Sequence, residues 1–160
     1  MKGEAMKART YLERIKKQDA QIDAMIEEIA TLDAIAKKTT SVMGGERVQA
    51  STSQQKMADT VEKIVELKAK LNAEIDSFID YRNEALKLIE ISCDADCYKL
   101  LHKRYIGTHD SEKERIIFKT WEQIAVEMNF TYKWVSGGLH QRALSQVQKV
   151  LDERGAADNA

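Results

Sequence analysis

Nine residues between positions 131 and 142 are suited by side chain or backbone to contact with duplex DNA. Lys133, Gln141 and Arg142 carry hydrogen-bond donors for base edges and phosphates. The rings of Tyr132 and Trp134 can stack on a sugar or base, contact a thymine methyl group, or pack against the protein instead. The predicted DNA-binding residues are Thr131, Tyr132, Lys133, Trp134, Ser136, Gly137, His140, Gln141 and Arg142.

Two cysteines and two histidines form a second set of reactive side chains. Cys93, Cys97, His102 and His109 are separated by three, four and six residues, a spacing that fits no common zinc finger. We therefore expect no metal and two reduced thiols. The sequence also lacks a glycine-rich phosphate loop, a nucleophile elbow and a convergent set of carboxylates with histidine. We expect neither an enzyme nor a cofactor.

The helix that precedes the candidate set begins at Thr120. Thr120 can cap it, with Gln123 in the capping-box position three residues later. Ile124, Ala125 and Met128 form its inner face, and Ala125 is small where a second helix must cross closely. The spacing predicts a short helix with a defined start.

A tight turn and a second helix follow. Asn129 can adopt the left-handed conformation, Phe130 is the apolar residue after it, and Thr131 can cap the second helix. Val135 and Leu139, four residues apart, point that helix back at the core. This pattern predicts a helix-turn-helix whose second helix enters a major groove with its N-terminal turns.

Gly137 and Gly138 lie within the second helix. Each costs up to about 1 kcal/mol of helix stability relative to alanine. We expect the pair to let the backbone come close to DNA.

Two long amphipathic segments precede this module, at residues 5–38 and 53–91. From Ile22 onward the apolar spacing of the first alternates three and four, which is typical of a coiled-coil seam. Two such helices predict an antiparallel hairpin. Its seam can pack within the chain or against another copy, and we favour a homo-oligomer, with a dimer favoured, because a hairpin alone has a thin core. The seam residues are Tyr11, Ile15, Ile22, Met25, Ile29, Leu32 and Ala36 in the first segment and Met57, Val61, Ile64, Leu71, Ile75, Phe78, Ala85 and Ile89 in the second.

Residues 39–55 interrupt the helical pattern. Thr39-Thr40-Ser41 and Gly44-Gly45 predict a helix stop, and Ser51-Thr52-Ser53 offers N-caps for the next helix. A connection of this length is long for two packed helices. It can be a solvent-exposed turn or a contact segment.

Further breaks divide the remainder. Residues 93–96 interrupt the second helix, and Asp94 or Asp96 can cap a short helix that runs through Tyr105. Residues 107–111 predict a turn, and residues 112–119 have helical content, as an insertion. Gly155 predicts the end of the last helix and a disordered tail. The expected domains are therefore residues 1–92 and 93–154, with a tail at 155–160.

The net charge of −1 conceals an asymmetry along the chain. Residues 1–96 hold 15 Lys and Arg against 18 Asp and Glu, whereas residues 97–154 hold 10 against 7. The C-terminal part is therefore the better candidate for a polyanionic partner.

No apolar run approaches the roughly 20 residues of a membrane span, and no signal-peptide pattern occurs. We expect a cytoplasmic protein.

The segment from Leu100 to Leu144 resembles region four of bacterial sigma factors. Residues 100–105 resemble the helix that ends in an Arg-Tyr pair, and residues 121–125 resemble the first helix of the motif. Residues 135–144 resemble the recognition helix and its exit. The Gly137-Gly138 pair and the long stretch from Thr108 to Lys119 depart from that pattern. The resemblance implies a sigma-like DNA-binding domain, and with the predicted hairpin before it we expect an all-α fold, a coiled-coil-like antiparallel hairpin followed by that domain.

The whole chain is similar to phage-encoded late-gene regulators of the RinA/ArpU type. Residues 44–53, followed by Lys56 and Met57, resemble their connecting loop. The resemblance implies a sequence-specific activator of phage late operons that acts on double-stranded DNA with host RNA polymerase. Two alternatives remain open. The chain could be the DNA-recognition component of phage packaging, like a small terminase subunit, or a sigma mimic that binds polymerase without DNA.

Overall fold

The computed structural model of the chain describes residues 7–42 and 50–159. Its helices are α1 (Ala8–Val42), α2 (Ala50–Ser92), α3 (Ala95–Leu101), α4 (Trp121–Met128) and α5 (His140–Asp158). Between them lie two π-helical segments, His102–Ile106 and Trp134–Leu139, and two short strands, β1 (Thr108–Asp110) and β2 (Arg115–Ile117). Helices α1 and α2 pack against each other, so the prediction of an all-α fold with a helical hairpin is confirmed.

The two long helices extend further than the sequence predicted. Helix α1 runs through Thr39-Thr40-Ser41 to Val42, and α2 already begins at Ala50. The predicted helix stop at residues 39–41 and the predicted caps at residues 51–53 are therefore wrong. Serine and threonine lower helix propensity by only roughly 0.5 kcal/mol each, which does not interrupt a long helix. The predicted stop at Gly44-Gly45 and most of the loop that resembles the phage regulators lie outside the described residues.

The chain forms two compact units, and their boundary differs from the predicted domains. Unit 1 consists of Met1–Asp19 and Phe78–Ala160, and unit 2 consists of Ala20–Ser77. The predicted boundary at residue 92 assigned the ends of both long helices to the hairpin. The structure groups them with the C-terminal elements instead, because their apolar side chains complete that core.

Buried side chains from every helix form the core of unit 1. The Tyr81 hydroxyl donates a hydrogen bond to the Tyr11 carbonyl at 2.7 Å, and the Arg82 guanidinium donates to the Gly107 carbonyl at 3.0 Å. These bonds join the helix ends to each other and to the chain after α3. The largest fully buried side chains are Leu12, Ile15, Leu88, Ile89, Cys97, Leu100, Leu101, Ile106, Ile124, Val135, Leu139 and Val147.

Unit 2 has a much thinner core. Among its described residues, the buried apolar side chains are Ile22, Ile29 and Ile64. Four large apolar side chains, at Ile26, Ile35, Val61 and Val65, are about half exposed or more. Val61 was predicted to lie in the seam, but 47% of it is exposed. The described part of unit 2 therefore presents exposed apolar side chains at these four positions.

Asp94 determines where α2 ends and α3 begins. Its Oδ1 accepts a hydrogen bond from the Cys97 amide at 3.0 Å, which makes Asp94, of the two predicted candidates, the N-cap of α3. The other oxygen accepts from Arg142 at 2.6 Å and from Gln146 at 3.0 Å. Hydrogen bonds from the Cys97 amide and Gln146 lower the pKa of Asp94 to about 2. One carboxylate thus starts α3 and joins it to α5.

Residues 112–119, which the sequence predicted to be helical, form a turn and a strand. Strands β1 and β2 pair antiparallel, with Thr108 opposite Ile117. The Asp110 carboxylate accepts hydrogen bonds from the amides of Glu112 and Lys113 at 2.9 and 3.2 Å. This side chain satisfies the backbone in the turn, which favours a turn over a helix.

Gly107 allows the hairpin to lie against the preceding helix. Its φ is +77°, a conformation that favours glycine. A Cβ at this position would lie 2.5 Å from Cγ2 of Ile116 and 3.1 Å from the Ile117 carbonyl oxygen. The predicted turn at residues 107–111 is displaced along the chain, because Thr108–Asp110 form β1 and the turn lies at residues 111–114.

The last helix also continues beyond its predicted end. Helix α5 runs through Gly155 to Asp158. Glycine ends a helix when it adopts the left-handed conformation, and Gly155 does not adopt it. The predicted helix end at Gly155, with a disordered tail directly after it, is therefore wrong.

We predict that Asp94→Ala lowers the free energy of unfolding by about 1–2 kcal/mol, because the N-cap of α3 is lost. Asp94→Asn keeps an oxygen that can accept from the Cys97 amide, so it should retain most of the stability. Urea denaturation followed by circular dichroism measures the change. Asp96→Ala is the matched control, since Asp96 lies inside the first turn of α3 and is not the cap. Equal losses for the two alanine variants would contradict the assignment.

Candidate nucleic-acid interface

A complete capping box fixes the start of α4. The Thr120 side chain accepts a hydrogen bond from the Gln123 amide at 3.3 Å, and the Gln123 side chain accepts one from the Thr120 amide at 3.0 Å. Two backbone donors at the helix end are thereby satisfied. Ile124 and Ala125 are buried on the inner face. The structure confirms the predicted cap and the two buried residues.

The turn after α4 has the predicted left-handed residue. Asn129 adopts φ 57° and ψ 43°, and the Phe130 amide donates to the Ala125 carbonyl at 3.0 Å. Asparagine tolerates this conformation better than most residues do. The chain reverses direction here within a few residues. The Phe130 side chain is 37% exposed and lies at the surface of the turn.

The second helix of the pair begins after Thr131. The Thr131 hydroxyl accepts a hydrogen bond from the Trp134 amide at 3.2 Å, which confirms the predicted cap. Val135 and Leu139 are buried, which confirms both predicted anchors. The helix is continuous from Tyr132, through the π-helical segment, into α5. The local geometry is that of two short helices joined by a tight turn.

The first turns of the second helix present side chains to solvent, both opposite the two anchors and on the flanks beside them. Tyr132 and Trp134 are 51% and 43% exposed, and Lys133 and Gln141 are also exposed. The Ser136 hydroxyl donates to the Tyr132 carbonyl at 2.8 Å, within the helix. We call this surface the recognition face. It consists of Thr131, Tyr132, Lys133, Trp134, Ser136, Gly137 and Gln141.

His140, a predicted DNA-binding residue, does not lie on the recognition face. Its side chain is buried, with Nε2 2.7 Å from the Tyr105 hydroxyl and its ring centroid 4.7 Å from that of Trp121. Burial, and then the positive charges of Arg9 and Arg104, lower the pKa of His140 to about 4. The prediction for His140 is corrected, because its ring is enclosed by aromatic neighbours of unit 1.

Arg142 is exposed but is already paired within the protein. Its Nη2 lies 2.6 Å from Oδ2 of Asp94, and its side chain is 59% exposed. The guanidinium therefore joins α5 to the start of α3. A phosphate contact, as predicted for Arg142, requires it to share or leave this ion pair. Seven of the nine predicted residues contribute to this surface, whereas the structure assigns His140 and Arg142 to internal contacts.

Arg104 and Tyr105 contact residues at the start of α4 and of α5. Arg104 lies over the Trp121 ring at 4.4 Å from its centroid and donates to the Lys119 carbonyl at 3.1 Å. Tyr105 bonds His140 at the other side. The sequence pattern identified the pair as a resemblance but gave no role to either side chain. Their partners lie 15 to 35 residues away in the chain, so local spacing did not reveal them.

Two lysines near α4 share one acidic side chain. The carboxylate of Glu127 forms ion pairs with Lys103, at 2.7 Å, and with Lys119. Hydrogen bonds from these two lysines lower the pKa of Glu127. Part of the positive charge counted in residues 97–154 is therefore compensated within the fold. Lys133 is the cation of the recognition face itself.

The cysteines and histidines do not form a metal site. Within residues 7–42 and 50–159, no group of three or more His, Cys, Asp or Glu side chains could hold a metal ion. Cys93 and Cys97 are free thiols, and burial raises the pKa of Cys97 to about 12. Among the same residues, none of the helices has the length and apolar character needed to cross a membrane.

Comparisons with known proteins found no matching family model, no matching curated protein and no matching solved structure.

We predict that stability falls as the pH is lowered from about 6.5 to about 4, because His140 stays neutral in the fold. In the unfolded chain its pKa returns to about 6.5, so the unfolded state binds a proton that the folded state excludes. The difference corresponds to about 3 kcal/mol at full effect. Urea titrations between pH 4 and 7 measure it.

The variant His140→Gln should flatten this dependence, since glutamine does not titrate. His109→Gln is the matched control, because His109 lies exposed on β1. It should keep the wild-type dependence. A wild-type slope in His140→Gln would show that the loss of stability arises elsewhere.

Proposed function

We propose that the chain is a sequence-specific DNA-binding regulator of transcription. Its helix-turn-helix contacts the major groove of double-stranded DNA through the recognition face. In line with the resemblance to late-gene regulators of the RinA/ArpU type, we propose that it activates phage late operons together with host RNA polymerase.

The observation that carries the proposal is the exposure of the first turns of the second helix. The anchors Val135 and Leu139 bury the opposite side, and the turn at Asn129 leaves the N-terminal end of this helix open to solvent. Lys133 and Gln141 carry donors that suit phosphates and base edges. Tyr132 and Trp134 offer apolar surface for sugars or thymine methyl groups. A helix presented in this way fits the docking geometry of helix-turn-helix proteins.

The electrostatic contribution from a single helix is modest. Lys133 supplies the positive charge of the recognition face, while Lys103 and Lys119 are paired with Glu127. Phosphate contacts supply much of the affinity of DNA-binding proteins, so few cations predict weak binding by one copy. We propose that the chain binds as a homodimer, in which two recognition helices contact two half-sites.

Unit 2 offers the surface for this association. Ile26, Ile35, Val61 and Val65 are exposed in a unit with few buried apolar side chains among its described residues. A second copy of the same hairpin presents the same apolar positions and can cover them. Burial of apolar surface contributes about 25 cal/mol per Å², which favours such pairing.

The decisive experiment selects duplexes from a random pool with the purified full-length protein at physiological salt. One enriched motif, and binding that weakens steeply with salt, support the regulator. Mapping that motif on phage genomes then shows whether it lies beside late promoters. Polymerase binding without affinity for any duplex, even at low salt, would favour the sigma mimic. A motif confined to packaging sites would favour the packaging component.

We predict that Lys133→Ala and Gln141→Ala each weaken binding to the selected duplex about tenfold, because each removes a donor from the recognition face. Lys133→Ala should also reduce the slope of log affinity against log salt by about 1 if it contacts a phosphate. Fluorescence anisotropy measures both quantities. Lys149→Ala, an exposed lysine further along α5, is the control and should bind like the wild type. If neither variant loses affinity, the assignment of the recognition face is wrong.

We predict that the protein in solution has twice the 18.2 kDa mass of the chain. Val65→Glu should convert it to a monomer, because it places a charge on a residue that is 63% exposed in the single chain. Ser77→Glu adds the same charge at another exposed position of α2 and should leave the mass unchanged. Light scattering after size exclusion measures the mass. A monomeric wild type contradicts the dimer, and a ring of eight or more copies favours packaging.

A further inference from the structure

Two adjacent glycines, Gly137 and Gly138, lie within the recognition helix, and the structure explains only one of them. Glycine weakens a helix interior relative to alanine, since it gains no side-chain packing and loses more backbone freedom on folding. A glycine in the middle of a helix is therefore explained when a neighbouring group, either in the protein or in a binding partner, occupies the space of a side chain. Gly138 is an example of the first case, and we argue that Gly137 is an example of the second.

Gly138 is explained by the protein itself. A Cβ at this position would overlap Cζ3 and Cε3 of the Trp134 ring. Because Gly138 has no side chain, the indole can lie across the helix and still keep 43% of its surface exposed. Replacing Gly138 would displace this ring.

Gly137 has no such internal reason. A Cβ at this position would meet no atom within 4 Å, and Gly137 does not adopt the left-handed conformation. Alanine therefore fits the free protein without strain, and it would strengthen the helix. Among the described residues, no atom occupies the space that a side chain at Gly137 would fill.

Gly137 lies on the solvent-facing side of the recognition helix. It follows Lys133 by four residues and precedes Gln141 by four, so these three residues lie along one side of the helix. Val135 and Leu139 occupy the opposite, buried side. Gly137 is thus the middle of the surface that carries the two proposed polar contacts with DNA.

We propose that Gly137 is the close-approach position of the recognition helix. At this residue the helix backbone lies directly against duplex DNA, and the contacts of Lys133 and Gln141 flank it. A methyl group at Gly137 would hold the helix away from the groove and lengthen both flanking contacts. This inference rests on the proposed function, and it adds a steric requirement that charge and hydrogen bonding alone do not give.

The test compares alanine at two helical glycines. A Cβ at Gly155 in α5 would also meet no atom within 4 Å, but Gly155 lies outside the recognition face. Gly137→Ala and Gly155→Ala should each raise the urea midpoint of unfolding. Gly137→Ala should weaken binding to the selected duplex at least tenfold, whereas Gly155→Ala should bind like the wild type. Gly137→Leu, larger but still compatible with a helix, should weaken binding further.

Three results would overturn the inference. If Gly137→Ala binds the duplex like the wild type while Lys133→Ala and Gln141→Ala lose affinity, the helix still recognises DNA but Gly137 is not a close-approach position. If Gly137→Ala lowers the urea midpoint together with the affinity, the glycine serves the π-helical segment instead. If the wild type binds no duplex, the proposed function fails, and this inference fails with it.

Discussion

The hydrogen bond between the Tyr105 hydroxyl and Nε2 of His140 holds the helix-turn-helix in place. Tyr105 lies in the π-helical segment after α3, and His140 lies at the start of α5. Trp121, the first residue of α4, packs its ring against His140, and the Arg104 guanidinium lies over the face of the same Trp121 ring. One buried cluster thus joins three helical segments. The outward direction of the recognition face depends on it, since the rotation of the second helix that buries His140 also exposes Lys133 and Gln141.

Predictions from the sequence were reliable where the cause is local. The capping box at Thr120, the left-handed Asn129 and the Thr131 cap each depend on hydrogen bonds or sterics within a few residues. The anchors Val135 and Leu139 follow from helical periodicity. The same local reasoning identified most of the recognition face, because exposure alternates with burial along a helix.

Predictions failed where contacts with residues far away in the chain determine the local structure or burial. The position of His140 in the sequence is compatible with an exposed face, but Tyr105 and Trp121 enclose its ring. Residues 112–119 have apolar content that suits either a helix or a strand, and the Asp110 turn and the pairing with β1 select the strand. The boundary between units was misplaced for a similar reason. Periodicity locates a helix, but it does not reveal which core each end of that helix joins.

The uninterrupted helix from Tyr132 to Asp158 has a mechanical consequence. At about 1.5 Å per residue it is a rod roughly 40 Å long, with the recognition face at one end. Further along the rod, the Gln148 side chain accepts a hydrogen bond from the Ala8 amide at 2.7 Å, at the first turn of α1. Rotation of the first turns of this helix about its axis is therefore transmitted along it to Gln148 and the first turn of α1. The start of the second helix and the N-terminal end of α1 are thus mechanically coupled within unit 1.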